Sequence, residues 1–240
     1  MKILILGGTT EARELAERLV AAGHQVTTSL AGRTQRPSLP AGDLRVGKFG
    51  GIPGLVGYLR AAGIERLVDA THPYAGLISI NAVAASQQSG VPLVRFMRAP
   101  WEEPADSGWT HAADIAGAAG ALPSGATALV TTGHAELEKL LERDDCRFVV
   151  RLIEEPDIAM PRHARLIISR PPYTIEDEIA LFQREGITHL VTKNSGGEAT
   201  AAKLAAAHEV GAEVVMIARP VYGPAREVGT VDEAVRAVVE

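Results

Sequence analysis

Apolar residues along this chain fall into two alternating spacings. Compact runs rich in Val, Ile and Leu give way to stretches in which apolar residues recur every third or fourth position. The first pattern reads as a buried strand and the second as a helix with one apolar stripe. Ala12, Leu15, Ala16, Leu19 and Val20 form such a stripe and predict a helix over residues 10–22. Gly23 ends it, and His24-Gln25-Val26 opens the next strand. The same ending, a glycine followed by a strand, recurs at Gly63, Gly90, Gly186 and Gly211, where a left-handed helix cap is the simplest cause.

Strands are predicted at 2–6, 25–30, 66–69, 92–96, 128–132, 147–152, 165–169, 189–192 and 213–218. Helices are predicted near 10–22, 53–62, 75–89, 112–121, 135–142, 175–185, 198–209 and 231–239. This alternation implies βαβ units and mostly parallel sheets. The segment APWEEPADSGW, residues 99–109, interrupts it with Pro, Gly and acids and is read as the hinge. The expected fold class is therefore α/β, with two Rossmann-like lobes and a ligand cleft between them. Residues 1–100 form the first lobe, 101–124 a linker region and 125–240 the second lobe. A single continuous sheet is the alternative.

Composition narrows the function classes. A chain of 240 residues with 46% hydrophobic content can bury a core without staples. Its one cysteine, Cys146, excludes a disulfide framework and a cysteine-rich metal site. The seven histidines lack metal-ligand spacing, so no metal is expected. The N-terminus opens on a strand rather than a signal peptide, and no apolar run approaches the roughly 20 residues of a membrane span. A cytoplasmic protein with no membrane partner is expected. The net charge of −5 argues against a nucleic-acid partner, and nothing in the chain names a protein partner.

Candidate chemistry gathers at the predicted strand ends. ILILGGTTEAR, residues 3–13, joins a strand to a helix as a dinucleotide loop does, although only Gly7 and Ala12 match G-x-G-x-x-G. Main-chain N–H groups at Thr9, Thr10 and Glu11 would open a helix N-terminus that attracts phosphate, with the threonine hydroxyls adding donors. An ordinary turn capped by threonine is the alternative. At the end of the second strand, where NAD enzymes carry an acid that reads the ribose, SLAGRT offers Ser29, Arg33 and Thr34. That substitution favours the 2′-phosphate of NADP; a solvated surface arginine at position 33 is the alternative.

DATHPYA, residues 69–75, follows another strand and starts a helix. Thr71 suits an N-cap and Pro73 a first helical turn, and His72 and Tyr74 would stand where open α/β sheets bind ligands. A well-capped loop with an incidental histidine is the alternative. VTKNSGGEAT, residues 191–200, repeats the strand–turn–helix design. It fails as a hydrolase elbow, because Lys193 replaces the first glycine and the only later histidine, His208, falls inside the following predicted helix with Asp232 after it. Lys193, Asn194, Ser195 and the helix-start N–H groups instead make an anion cradle. GDLRVGKF, residues 42–49, has Walker-A spacing but ends in Phe49, and no tyrosine heads a Tyr-x-x-x-Lys pair. Arg95, Arg98, Arg151, Arg170, Lys193, Arg219 and Arg226 remain near strand ends. With Thr131-Thr132-Gly133, they suit a polyanionic ligand, because the arginine fork binds two carboxylate oxygens at once.

Taken in order, LGGTTEAR, DATHPYA, TTG at 131–133 and KNSGG at 193–197 resemble the precorrin-6A reductases of cobalamin biosynthesis over nearly the whole chain. The resemblance implies two Rossmann-like domains, NADP(H), and a polycarboxylate tetrapyrrole that is reduced from precorrin-6A to precorrin-6B. It also allows the anaerobic, cobalt-containing analogue. A non-catalytic NADP-sensing module is the reading from a different class. On this resemblance Gly8, Thr9, Thr10 and Glu11 hold the pyrophosphate, Ser29, Arg33 and Thr34 the 2′-phosphate, and Thr71, His72 and Pro73 line the nicotinamide side. Thr132, Gly133, Arg170, Lys193, Asn194, Ser195 and Arg219 are the expected substrate contacts. Reduction also needs a proton; His72, Tyr74 and Lys193 are candidate donors beside water and the macrocycle's own nitrogens, and none is assigned.

Overall fold

The computed structural model describes residues 1–32 and 39–240. In chain order the first elements are β1 (Lys2–Leu6), α1 (Thr10–Ala21), β2 (Gln25–Leu30), β3 (Asp43–Val46), α2 (Gly51–Ala61), β4 (Arg66–Asp69), α3 (Gly76–Ser89) and β5 (Leu93–Phe96). Next come β6 (Thr110–Ala112), α4 (Ile115–Ala121), β7 (Thr127–Val130), α5 (Leu137–Leu141), β8 (Arg147–Leu152), β9 (Ala164–Ile168) and α6 (Ile175–Glu185). The chain closes with β10 (His189–Lys193), α7 (Ala202–Val210), β11 (Glu213–Ile217), β12 (Arg226–Val228) and α8 (Val231–Val239).

Two compact units result: Met1–Ala99 together with Pro220–Glu240, and Pro100–Arg219. The first holds a six-stranded sheet in the order β3-β2-β1-β4-β5-β12, parallel throughout. That is the dinucleotide-binding strand order, with the topological switch between β1 and β4. On one face α1 and α8 cover Ile3, Ile5, Val68 and Val94 with Leu15, Leu19, Ala234 and Val238. On the other, α2 and α3 cover Leu4, Leu6 and Leu67 with Leu55, Leu59 and Ala82. The continuous apolar run Ile3–Leu6 of β1 follows from burial on both faces.

The second unit repeats the design as β9-β8-β7-β10-β11-β6, again parallel, with its switch between β7 and β10. Phe182, Leu181 and Ala206 from α6 and α7 pack against Leu129, Val149, Leu190 and Met216 of this sheet.

Both domain boundaries differ from the sequence reading. Residues 101–124 are no linker: β6 pairs with β11 at the edge of the second sheet, and Trp101 and Trp109 join the second core. Trp101 is fixed further, since its Nε1 donates to Gly197 O at 3.0 Å and the buried Lys203 ammonium lies 4.9 Å from its ring. Residues 220–240 belong to the first unit, where β12 pairs with β5 and α8 packs beside α1. The first sheet thus takes its sixth strand, β12, from beyond its run β1–β5, whereas the second is built from the consecutive strands β6–β11. The reason lies in tertiary packing: an amphipathic helix such as α8 records that it has an apolar face, not which sheet covers it.

Candidate functional site

In the first unit the β1 and β4 loops meet at the switch point, the position where open α/β sheets bind ligands. Gly7 is required for close packing, because a Cβ there would lie 2.8 Å from Thr28 Cγ2. Gly8 adopts φ 117°, a backbone conformation that suits glycine. Thr9 is the N-cap of α1: its hydroxyl accepts from Ala12 N at 3.1 Å and donates to Ala70 O at 3.0 Å. That hydroxyl therefore caps the helix and ties the β1 loop to the β4 loop, which corrects its expected use as a phosphate donor. Thr10 Oγ1 similarly accepts from Arg13 Nη2 at 3.1 Å. The first-turn N–H groups of α1 have no partner within the helix ladder, and that of Ala12 is taken by the Thr9 hydroxyl.

Glu11 has a definite partner that the sequence did not reveal. Arg98, just beyond β5, donates from Nη1 to Glu11 Oε1 at 2.9 Å. Burial raises the Glu11 carboxyl, but its own main-chain N–H and the Arg98 guanidinium outweigh that and leave it below its usual value. The acid thus stays ionised and charge-balanced beside the helix N-terminus. Thr9, Glu11, Thr71, Pro73, Phe96 and Arg98 line one small pocket there. Pro73 is buried, Tyr74 half-buried and His72 exposed. His72 Nδ1 accepts from Tyr74 N at 3.2 Å.

Ser29 lies beside this loop, since Gly7 N donates to its carbonyl at 3.0 Å. Its side chain is buried and accepts from Arg45 Nη1 at 3.3 Å. Arg45 also donates to Gly47 O and Lys48 O and stacks 3.7 Å over Phe49. Arg33 and Thr34 lie outside the described residues.

The second switch point gathers most of the remaining predicted residues. Lys193 Nζ donates to Thr132 O at 2.7 Å, joining the β7 and β10 loops. Burial lowers the Lys193 pKa below its ordinary value, with Glu136 opposing. Arg219 Nε donates to Asn194 O at 2.6 Å, and Ser195 Oγ to Lys193 O at 3.2 Å. The Asn194 side chain holds the main chain of Trp101 from both ends, accepting from its N–H at 2.8 Å and donating to its O at 3.0 Å. Gly133 has φ 80°. Arg170 stands elsewhere, beyond β9, paired with Glu154 at 2.9 Å.

The idea that the strand-end cations jointly face a ligand needs correction. Arg95 is buried at 1% exposure beside Asp69, and Arg151 is buried in a bidentate pair with Glu178. Arg226 pairs with Glu240 on the surface at 2.6 Å. Strand-end position alone does not separate a ligand-facing arginine from one that neutralises a buried acid. Among the described residues no three His, Cys, Asp or Glu side chains cluster to hold a metal ion, and no helix is long and apolar enough to cross a membrane.

Comparison with known proteins then decides the family. The family described as precorrin-6x reductase CbiJ/CobK matches residues 2–239. The chain belongs to this family. A precorrin-6A reductase of Rhodococcus erythropolis is 44% identical over 239 residues, covering 99% of this chain and 96% of its own. A cobalt-precorrin-6A reductase of Priestia megaterium is 30% identical, covering 99% of this chain and 98% of its own. The solved structure of CobK precorrin-6A reductase is 39% identical, covers 100% of this chain and 96% of that one, and superposes with a TM-score of 0.93. Family membership turns the two switch points from generic Rossmann crevices into candidate cofactor and substrate sites. Arg98, read from the sequence only as one of several strand-end cations, and Arg45, given no role there, stand beside the first of them.

Proposed function

We propose that this chain is an NADPH-dependent oxidoreductase that reduces precorrin-6A to precorrin-6B in cobalamin biosynthesis. The observation that carries the reading is the family match from residue 2 to 239, with GGTTEAR and DATHPYA meeting at one switch point. The metal-free substrate is preferred to the cobalt form because the relative named for it is 44% identical, against 30% for the other.

NADP(H) fits the first unit by its donor set. Gly7 lets the turn pack tightly, and Gly8 with the first-turn N–H groups of Thr10 and Glu11 presents donors at a helix N-terminus. When bound, NADPH supplies the hydride. Around it, Gly8, Thr9, Thr10 and Glu11 hold the pyrophosphate through main-chain groups, and Arg98 offsets the Glu11 charge. Ser29, Arg33 and Thr34 are the residues assigned to the 2′-phosphate. Thr71, His72 and Pro73 line the nicotinamide side. In the second unit Lys193, with Thr132, Gly133, Asn194, Ser195 and Arg219, receives the acetate and propionate arms, and Arg170 is a more remote cation. His72, Tyr74 and Lys193 remain the protein's candidate proton donors.

Anaerobic incubation with NADPH and precorrin-6A tests the reading directly. Equimolar loss of NADPH and of the precorrin-6A absorption is the expected result. Turnover of the cobalt-containing analogue with none of precorrin-6A would move the protein to the other branch. The cofactor choice has its own test. Arg33→Ala should raise KM for NADPH about tenfold, the effect of losing a charge-assisted hydrogen bond. Its weak use of NADH should hardly change; an equal loss with both cofactors removes the 2′-phosphate assignment.

A further inference from the structure

The returning segment after the second unit reaches the loop that bears DATHPYA. Tyr222 Oη donates to Pro73 O at 2.6 Å across 149 residues of sequence. The segment lies close against α3: a Cβ at Gly76 would stand 3.9 Å from Tyr222 Oη, and one at Gly223 would stand 3.2 Å from Val83 Cγ1. Below the tyrosine, Arg95 is 1% exposed and its guanidinium carbon lies 5.1 Å from the Tyr222 ring centre. Arg95 Nη1 donates to Gly223 O and to Glu227 Oε1, each at 3.0 Å.

Asp69, 2% exposed, completes the group. Its Oδ1 accepts from Thr71 Oγ1 at 2.6 Å and from Thr71 N at 3.3 Å. Its Oδ2 stands 3.6 Å from Arg95 Nε, and neither of those two buried atoms makes a hydrogen bond. An ion pair this deep and this incompletely bonded is a poor stabiliser compared with packed apolar side chains. Its position offers another use: it fixes Thr71 from one side and Tyr222 from the other. Burial, and then the Asp69 charge, push the Tyr222 phenol above its usual pKa, so its hydroxyl remains a donor at neutral pH.

We propose that Tyr222 is a positioning residue for the reduction, with Arg95 and Asp69 as its base. It sets where the Thr71-His72-Pro73 segment stands against the nicotinamide while touching neither cofactor nor substrate itself. The inference rests on the reading that this segment lines the nicotinamide side of an NADP(H) site. It assigns a function to the C-terminal return: β12 and its approach carry the brace for the switch-point loop of the first sheet.

Tyr222→Phe removes one hydroxyl and keeps the ring beside Arg95. Binding of NADP+ and of adenosine 2′,5′-bisphosphate, which lacks the nicotinamide, is measured by calorimetry on the full chain, alongside kcat. The variant should bind NADP+ about fivefold more weakly, the scale of one lost hydrogen bond, and bind the bisphosphate as wild type does. Its kcat should fall about tenfold because ring and substrate are less well aligned. Equal weakening toward both ligands would make Tyr222 a purely structural residue and overturn the proposal, as would unchanged NADP+ affinity and kcat. A wild-type protein that binds neither ligand would instead overturn the cofactor reading itself.

Discussion

Lys193→Met is expected to weaken precorrin-6A binding roughly 30- to 100-fold while NADP+ affinity stays within about twofold. The Lys193 side chain is part-buried, and its ammonium is fixed on the Thr132 carbonyl at 2.7 Å. It stands where the β7 and β10 loops meet, at the switch point of the second sheet. Removal from water makes this ammonium a stronger partner for a carboxylate than an exposed one, because attraction grows as the local dielectric falls. Methionine keeps the length and apolar volume, so the loss reports charge rather than a cavity. The pH profile supplies a second check. Burial lowers the Lys193 pKa, so the protonated, anion-binding form is lost as pH rises through a value below that of an ordinary lysine. Wild-type substrate affinity should decline over that range, and the Met variant should lack the step. Parallel loss of NADP+ and precorrin binding would remove the anchor assignment.

Glu178→Ala should destabilise the second unit by about 3–5 kcal/mol and lower its melting temperature by roughly 10 °C or more. Glu178, 1% exposed in the first turns of α6, binds both terminal nitrogens of Arg151 on β8. The Arg151 guanidinium also lies 4.0 Å from the centre of the Tyr173 ring. Removing the acid strands a desolvated cation between sheet and helix. The double variant Arg151→Met/Glu178→Leu should recover most of the loss, since an apolar pair carries no desolvation cost. Calorimetry of the three proteins checks both statements. A Glu178→Ala melt within about 2 °C of wild type would mean that the pair is solvated in solution.

The particular elements explain what was legible. β1, β2, β4 and α1 were readable because the chain there is locally consistent: β-branched or leucine runs, Thr9 as N-cap, Gly23 after the helix. β3, β6 and β12 were missed. They are sheet-edge strands of three or four residues, too short to carry a period, and β3 is hidden in the Walker-like stretch GDLRVGKF. The site followed the same rule. GGTTEAR and DATHPYA each announce a loop, but the Thr9–Ala70 bond that joins them spans 61 residues. The Arg98–Glu11 pair spans 87 residues, and neither side chain marks the other in the sequence.

By itself the sequence determined the strand–helix alternation, the motif loops and the family that those motifs resemble. All of these rest on neighbours in the chain, where spacing and turn chemistry act directly. Only the tertiary structure decided that α8 and β12 close the first sheet, that β6 joins the second, and that Arg95 and Arg151 neutralise buried acids. Those outcomes depend on which apolar face meets which sheet and on which charges are removed from water together. Both are properties of packing between distant segments, and no local pattern records them.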